Sequence, residues 1–152
     1  MPVEPLPSIS ILIVEDQVDV AESLAELLRM LGYQIRVASS GEAALTQVDV
    51  CLPDVVLLDI GLPGMNGWEV AREIRNRATK RQPVVVAVTG FGLDADKWRS
   101  ADAGVDLHLV KPVAPALLTK LLERVRDSLV STHVPETVPT EARANEPADA
   151  RG

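Results

Sequence analysis

Short apolar runs rich in β-branched residues alternate along this chain with segments of helical period, and no other feature restricts the fold so strongly. Four runs, Ile9 to Val14, Val55 to Leu58, Val84 to Val88 and Leu107 to Val110, are almost continuously apolar, as strands buried on both faces are. A weaker run, Tyr33 to Val37, follows Gly32 and alternates, the pattern of a strand nearer a sheet edge. Between the runs, Val20, Leu24, Leu27, Leu28 and Leu31 share one helical face, and Gly32 closes that helix as a C-terminal cap. A second helix is predicted to start at Ser39 or Ser40, with Glu42 in its first turn, and to run through Leu45 and Val48. Gly67 to Ala78 forms a third and Asp94 to Ala103 a fourth, ended by Gly104. Leu117, Leu118, Leu121, Leu122, Val125 and Leu129 give the last helix a broad apolar stripe. Five such alternations imply a doubly wound α/β fold, a five-stranded parallel sheet between two helical layers joined by right-handed crossovers.

With 152 residues, 47% of them hydrophobic, the chain suits one domain, placed at residues 9–130. Aromatics make up only 3%, so the core must be aliphatic. The Pro-rich start, residues 1–8, and the proline-punctuated, charge-scattered residues 131–152 cannot bury enough surface to offset their ordering entropy, and both are expected to be disordered. No stretch of about 18 apolar residues and no basic-then-apolar leader is present, so neither membrane insertion nor secretion is indicated and a cytoplasmic protein is expected. The lone Cys51 has no partner for a disulfide or metal site and reads as a half-buried structural thiol. A formal charge of −7 argues against a nucleic-acid binder. Arg72, Arg75, Arg77, Lys80 and Arg81 read as the solvated face and end of one helix.

In a doubly wound sheet the functional crevice lies beyond the carboxyl ends of the strands. The first run ends in Glu15 and Asp16, the third strand in Asp59, the fourth in Thr89 and the last in Lys111. Each alone is an ordinary strand-end polar residue; three carboxylates, a hydroxyl and an ammonium together are not. Carboxylates a few ångströms apart repel one another strongly, so such a cluster shifts its pKa values or holds a cation. Oxygen ligands without His or Cys suit Mg²⁺. A carboxylate can also attack phosphorus to give an aspartyl phosphate, and Lys111 and Thr89 would supply the cation and the donor that stabilise the transferred group.

The segments ILIVED (Ile11 to Asp16), DIGLPGMNG (Asp59 to Gly67), VTG (Val88 to Gly90) and LVKP (Leu109 to Pro112), in that order, resemble the receiver domain of two-component response regulators. The resemblance runs from about Ile9 to Ser128. It implies the flavodoxin-like strand order 2-1-3-4-5, Asp59 as phosphoacceptor, and Mg²⁺ held by Asp16, Asp59, the Gly61 carbonyl and, through a water, Glu15. Thr89, Gly90 and Lys111 would contact the phosphoryl group, and Pro112 would follow a cis bond that aims Lys111 inward. Pro63 and Gly67 would shape the loop after Asp59. A histidine kinase or histidine phosphotransfer protein would donate the phosphoryl group. The surface of the fourth helix, fifth strand and fifth helix would switch toward an unidentified effector or a phosphorylation-dependent homodimer. No turnover of an external substrate is expected.

Receivers commonly carry an aromatic ring three residues before the lysine, where this chain has His108. The plain reading is a partly exposed edge-strand histidine; the sharper one is a switch residue that titrates near neutrality. Gly61 and Phe91 stand where the family tunes hydrolysis, and a side chain absent at Gly61 with a shielding Phe91 predicts a long-lived phosphoryl group. Trp68 and Trp98 are expected to pack partly against helices, and an exposed Trp98 would mark a docking surface. A Mg²⁺-dependent phosphatase acting through an aspartyl phosphate needs much the same groups, but usually a second acid two residues past its nucleophile, where Gly61 stands. A flavodoxin-like cofactor binder would want a glycine-rich loop in place of Glu15, Asp16 and Gln17. A receiver detached from a hybrid histidine kinase is a further alternative; a pseudo-receiver that never reacts would typically lack one of the key groups, and this chain keeps them all.

Overall fold

The structure is a computed structural model that describes residues 8–78, 81–90 and 103–132. Its five strands are β1 (Ser10–Val14), β2 (Gln34–Ala38), β3 (Val55–Asp59), β4 (Val84–Thr89) and β5 (Leu107–Val110). All pair in parallel, in the order β2-β1-β3-β4-β5. Among the described residues the helices are α1 (Val18–Met30), α2 (Gly41–Val50), α3 (Gly67–Arg77) and α4 (Pro115–Thr132). The helix expected from Asp94 lies outside the described residues as far as Asp102, as do residues 1–7, residues 133–152, Lys80, Phe91 and Trp98.

Successive strand residues point to opposite faces, and the core divides accordingly. Ile11 and Ile13 of β1, Val55 and Leu57 of β3, Val86 and Leu109 pack with Ala21, Ala25 and Leu28 of α1 and Leu118 and Leu122 of α4. Leu12, Val14, Val56, Leu58 and Val85 pack on the other face with Leu45 and Val48 of α2 and Val70, Ala71 and Ile74 of α3. Every residue of β3 is buried, as its unbroken apolar run requires.

Local chemistry sets the helix ends. The Ser40 side chain accepts a hydrogen bond from the Ala43 N–H at the start of α2. Asn66 and Glu69 form a reciprocal capping box at the start of α3. Gly32 follows α1 with φ +99°, the left-handed conformation that ends helices at glycine. Gly104, foreseen as a helix terminator, has φ +91°.

Two expectations about exposure need correction. Val20 and Leu31 lie at the edge of the buried face of α1 and are 45% and 47% exposed, because Ala21, Ala25 and Leu28 face the sheet instead. Cys51 is exposed, since it stands just after α2 at the strand-start end of the sheet rather than under a helix. The basic stretch is also less free than a solvated face. Arg77 pairs with Asp49 and Glu73, and Arg81 with Asp54. Arg75 is only 20% exposed; it donates to the Gly104 and Pro83 carbonyls and pairs with Asp106, tying α3 to the starts of β4 and β5.

Gly67 opens α3 hard against the end of β3: a Cβ there would stand 2.6 Å from Ile60 Cα and 2.9 Å from the Asp59 carbonyl oxygen. Both are backbone atoms and neither can swing aside. Gly67→Ala is therefore expected to lower stability by about 1–3 kcal/mol, the usual cost of overpacking, measured by urea unfolding; unchanged stability would show that the β3–α3 loop can shift.

Candidate functional site

The strand register carries the polar residues to one edge. Val14 stands opposite Leu58, Asp59 opposite Val88, and Thr89 opposite Val110, so Glu15, Asp59, Thr89 and Lys111 finish four neighbouring strands. Glu15, Asp59 and Lys111 share the strand phase of the core under α1 and α4. Thr89 and His108 have the opposite phase and fall on the side of α2 and α3.

Glu15, Asp59 and Thr89 are the buried polar residues of the described structure, at 6%, 7% and 5% exposure, while Asp16 is exposed. Lys111 Nζ lies 3.3 Å from Glu15 Oε1 and 3.3 Å from Asp59 Oδ2. The second oxygen of each carboxylate accepts a backbone N–H, Glu15 Oε2 from Gln17 at 3.1 Å and Asp59 Oδ1 from Gly61 at 2.9 Å. The main chain closes the site as well: Ile60 N–H donates to the Val88 carbonyl at 3.1 Å, and Lys111 N–H to the Thr89 carbonyl at 2.7 Å. Lys111–Pro112 is a cis peptide, as expected from the LVKP segment.

One oxygen from each of Glu15, Asp16 and Asp59 lies within 4.8 Å of the others. That all-carboxylate donor set, partly buried and open on the side of Asp16, fits a hard divalent cation such as Mg²⁺. Burial, followed by repulsion from Asp59, lifts the Glu15 pKa above its ordinary value, outweighing the Gln17 N–H and Lys111. Burial alone would lower the Lys111 pKa, but attraction to Asp59 and then Glu15 outweighs it, and the ammonium is held more firmly than usual.

Sequence reasoning thus placed Glu15, Asp16, Asp59, Thr89 and Lys111 at one edge, and the structure brings the three acids and the lysine into contact or cation-sharing range. Gly90 is exposed beside Thr89, and Gly61 is exposed with its N–H turned to Asp59. His108 is half-buried on edge strand β5, in an edge-to-face contact with the buried Trp68 of α3, the ring centroids 6.4 Å apart. The role of Gln17 was missed, because it acts through its main chain and any residue type supplies an N–H.

A doubly wound parallel sheet with an acidic, lysine-bridged pocket at its strand ends can hold a cation and an anionic group side by side. Residues 11–123 match the model of the response regulator receiver domain. The chain belongs to that family. It is 38% identical over 117 residues to the sensory transduction protein RegX3 of Mycobacterium tuberculosis, covering 77% of this chain and 49% of that protein. It is 38% identical over 128 residues to the aerobic respiration control sensor protein ArcB of Escherichia coli, covering 82% of this chain and 16% of that one. The chain spans about half the length of RegX3 and a smaller share of ArcB. A similar solved structure is the receiver domain of sensor histidine kinase PA1611 from Pseudomonas aeruginosa, with a magnesium ion coordinated in its active site cleft. It is 30% identical with a TM-score of 0.72, covering 80% of this chain and 99% of that one.

Glu15 gives the site a pH signature. Its folded pKa lies above the unfolded value near 4.5, so the folded state binds that proton more tightly. Stability from this group therefore grows as pH falls through the raised pKa and is lost as pH rises above it. In metal-free buffer at neutral pH, Glu15→Gln is expected to melt at a higher temperature than wild type, with the difference shrinking as the pH is lowered. A less stable variant at neutral pH would mean that the pairing with Lys111 outweighs burial.

Proposed function

We propose that Asp59 accepts a phosphoryl group from the phosphohistidine of a histidine kinase or phosphotransfer protein, and that the domain then signals to a downstream effector. The observation that carries this reading is the contact of Lys111 with both Asp59 and Glu15, with Asp16 within cation-sharing range of the two acids. An Asp59 carboxylate oxygen attacks phosphorus, the P–N bond breaks, and its electron pair returns to the donor imidazole. Lys111 shields the entering group from the acids and pairs with one of its oxygens, while the Thr89 hydroxyl and Gly90 N–H take others. Glu15, Asp16, Asp59 and the Gly61 carbonyl would hold Mg²⁺, which when bound neutralises charge on the transferred group.

Lys111 changes partners in this scheme. Before transfer it balances two buried carboxylates; afterwards the Asp59 carboxylate has become an acyl phosphate, and the ammonium follows the charge to the phosphoryl oxygens. Lys111 and Thr89 are joined through the 2.7 Å main-chain hydrogen bond at the end of β4 and β5, so movement at either residue is felt on the β5 edge that carries His108. The surface made by β5 and α4 is the output face in this reading. Leu107, Val110 and Leu117 are exposed there. Gly61, with no side chain to act as an acid toward a leaving group, leaves the phosphatase alternative without its second acid. The protein works in the cytoplasm in this reading and turns over no external substrate.

Incubation with a small phosphodonor and Mg²⁺, followed by intact mass measurement, tests the chemistry. Wild type is expected to gain one phosphoryl group, Asp59→Asn none, and Lys111→Met to react about 100-fold more slowly, the scale of losing one charge-stabilising group. A phosphoryl group retained by Asp59→Asn would place the acceptor elsewhere.

A further inference from the structure

Beyond Val14 and Leu58, the last paired residues of β1 and β3, the two central strands bond to opposite neighbours. The Glu15 N–H donates to the Ala38 carbonyl of β2 at 3.0 Å, and the Ile60 N–H to the Val88 carbonyl of β4 at 3.1 Å. Glu15 and Asp16 therefore reach the cation site from one anchored segment, Asp59 and Gly61 from another, and the distance between the two must be fixed by groups that span the gap. Lys111 is one such group, touching both buried carboxylates on the face of α1 and α4.

A second span crosses the opposite face. The corner between β2 and α2 runs from Ala38, which holds Glu15, to Gly41, the buried first residue of α2. Ser40 fixes this corner by accepting the Ala43 N–H. Met65, from the loop that follows Asp59, lies against the bare backbone of Gly41. A Cβ added to Gly41 would stand 3.1 Å from Met65 Sδ, 3.3 Å from Met65 Cβ and 2.7 Å from Val70 Cγ2. Leu62 is buried and Met65 half-buried in the same core, so the loop from Gly61 to Met65 is gripped at both ends. Contacts through Ala38, Gly41 and Met65 thus join the two halves of the site. A thioether is no ligand for a hard cation, so whatever Met65 does there it does by position.

Width matters to the choice of cation. Mg²⁺ demands near-ideal octahedral geometry with oxygens about 2.0–2.1 Å away, whereas Ca²⁺ accepts more oxygens at about 2.3–2.6 Å in looser arrangements. A site held narrow favours the smaller ion, and a site free to widen gives that preference up.

We infer that Met65, seated on Gly41, is a positioning residue that fixes the width of the cation site and thereby its preference for Mg²⁺ over Ca²⁺. The inference rests on the cation site of the function proposed above. Truncating Met65 frees the loop from α2, and the Gly61 carbonyl and Asp59 can then drift from Asp16. Filling the space at Gly41 pushes Met65 and Val70 from their seats and loosens the same loop from the other side.

Titration of the intact chain with MgCl2 and with CaCl2, followed by amide chemical shifts, tests the inference, with urea unfolding in metal-free buffer as a check on the fold. Wild type is expected to prefer Mg²⁺. Met65→Ala is expected to weaken Mg²⁺ binding about tenfold, the low end of what losing a support behind a metal ligand costs, and Ca²⁺ binding by no more than about twofold. Met65→Leu keeps the apolar bulk and is expected to hold Mg²⁺ within about twofold of wild type. Gly41→Ala, with Met65 still in the chain, is expected to lower the Mg²⁺ preference as well, while Met30→Ala at the exposed end of α1 leaves both affinities unchanged. A wild-type Mg²⁺ preference in Met65→Ala overturns the inference. So does an equal loss of both ions, the mark of a residue that only supports the fold, and so does a Met65→Leu as impaired as Met65→Ala. If Met65→Ala does not fold, Gly41→Ala decides, and an unchanged preference there overturns the inference. Wild type that binds neither ion strikes the cation site of the proposed function and this role with it; wild type that binds both without preferring Mg²⁺ strikes the role of Met65 alone.

Discussion

Two buried carboxylates with every electrostatic reason to separate are held at one place by a single ammonium. Like charges 4 Å apart cost roughly 4 kcal/mol at an effective dielectric near 20, and Glu15 and Asp59 are both buried. Lys111 Nζ at 3.3 Å from each offsets the repulsion, and the N–H groups of Gln17 and Gly61 occupy the oxygens it does not reach. The balance is incomplete. Asp16 brings a third carboxylate from the solvent side, so the cluster keeps a surplus of negative charge that suits a divalent cation. Removing either partner from a buried pair leaves an uncompensated charge, which is why the geometry of the lysine matters more than its mere presence.

That geometry comes from the sheet. With β1 and β3 adjacent at its centre, the ends of β1 and β3 face each other, and β4 and β5 follow on one side. Four residues far apart in sequence therefore need only finish their strands in register to meet. Strand phase then sorts them: Glu15, Asp59 and Lys111 fall with the core of α1 and α4, Thr89 and His108 with that of α2 and α3. The site is thus built across the sheet rather than on one face of it. Asp59 touches Lys111 on one side, and the Lys111 main chain bonds to the Thr89 carbonyl, so a bonded path joins the two faces.

This division explains what could be read from the residues alone. Strands buried on both faces advertise themselves as unbroken apolar runs, so β1, β3 and β4 were found nearly to the residue, and with them the polar residues that end each run; the run Leu107 to Val110 was located as well, but β5 is an edge strand with Leu107 and Val110 exposed, not one buried on both faces. The strand order followed from the family resemblance, not from periodicity. Helical faces were less legible, because a stripe of Val20, Leu24, Leu27, Leu28 and Leu31 shows that a helix is amphipathic but not which edge of the stripe its neighbours cover; of the five only Leu28 is fully buried. Two alanines, Ala21 and Ala25, proved to be inward residues of α1 beside Leu28, which periodicity of large side chains cannot reveal. Arg75 was hidden for a related reason. Its partners are the carbonyls of Pro83 and Gly104 and the carboxylate of Asp106, groups that only tertiary structure brings to the end of α3.

Packing and charge are therefore not independent in this protein. The small residues that α1 turns to the sheet leave space beside Glu15, and that space sets how far its carboxylate is desolvated. Filling it would deepen the burial of Glu15 and raise the cost of its charge, favouring a proton or a cation more strongly; opening it to water would do the reverse. On the other face, Trp68 supplies the bulk that α1 lacks, and its contact with His108 closes the core against the edge strand. Among the described residues, the two faces of one sheet each hold one buried aromatic ring, Tyr33 with α1 and α4 and Trp68 with α2 and α3. The indole packs beneath β5 against His108, while the face of α1 keeps an unfilled volume of about 800 Å³ lined in part by Glu15 and Asp59.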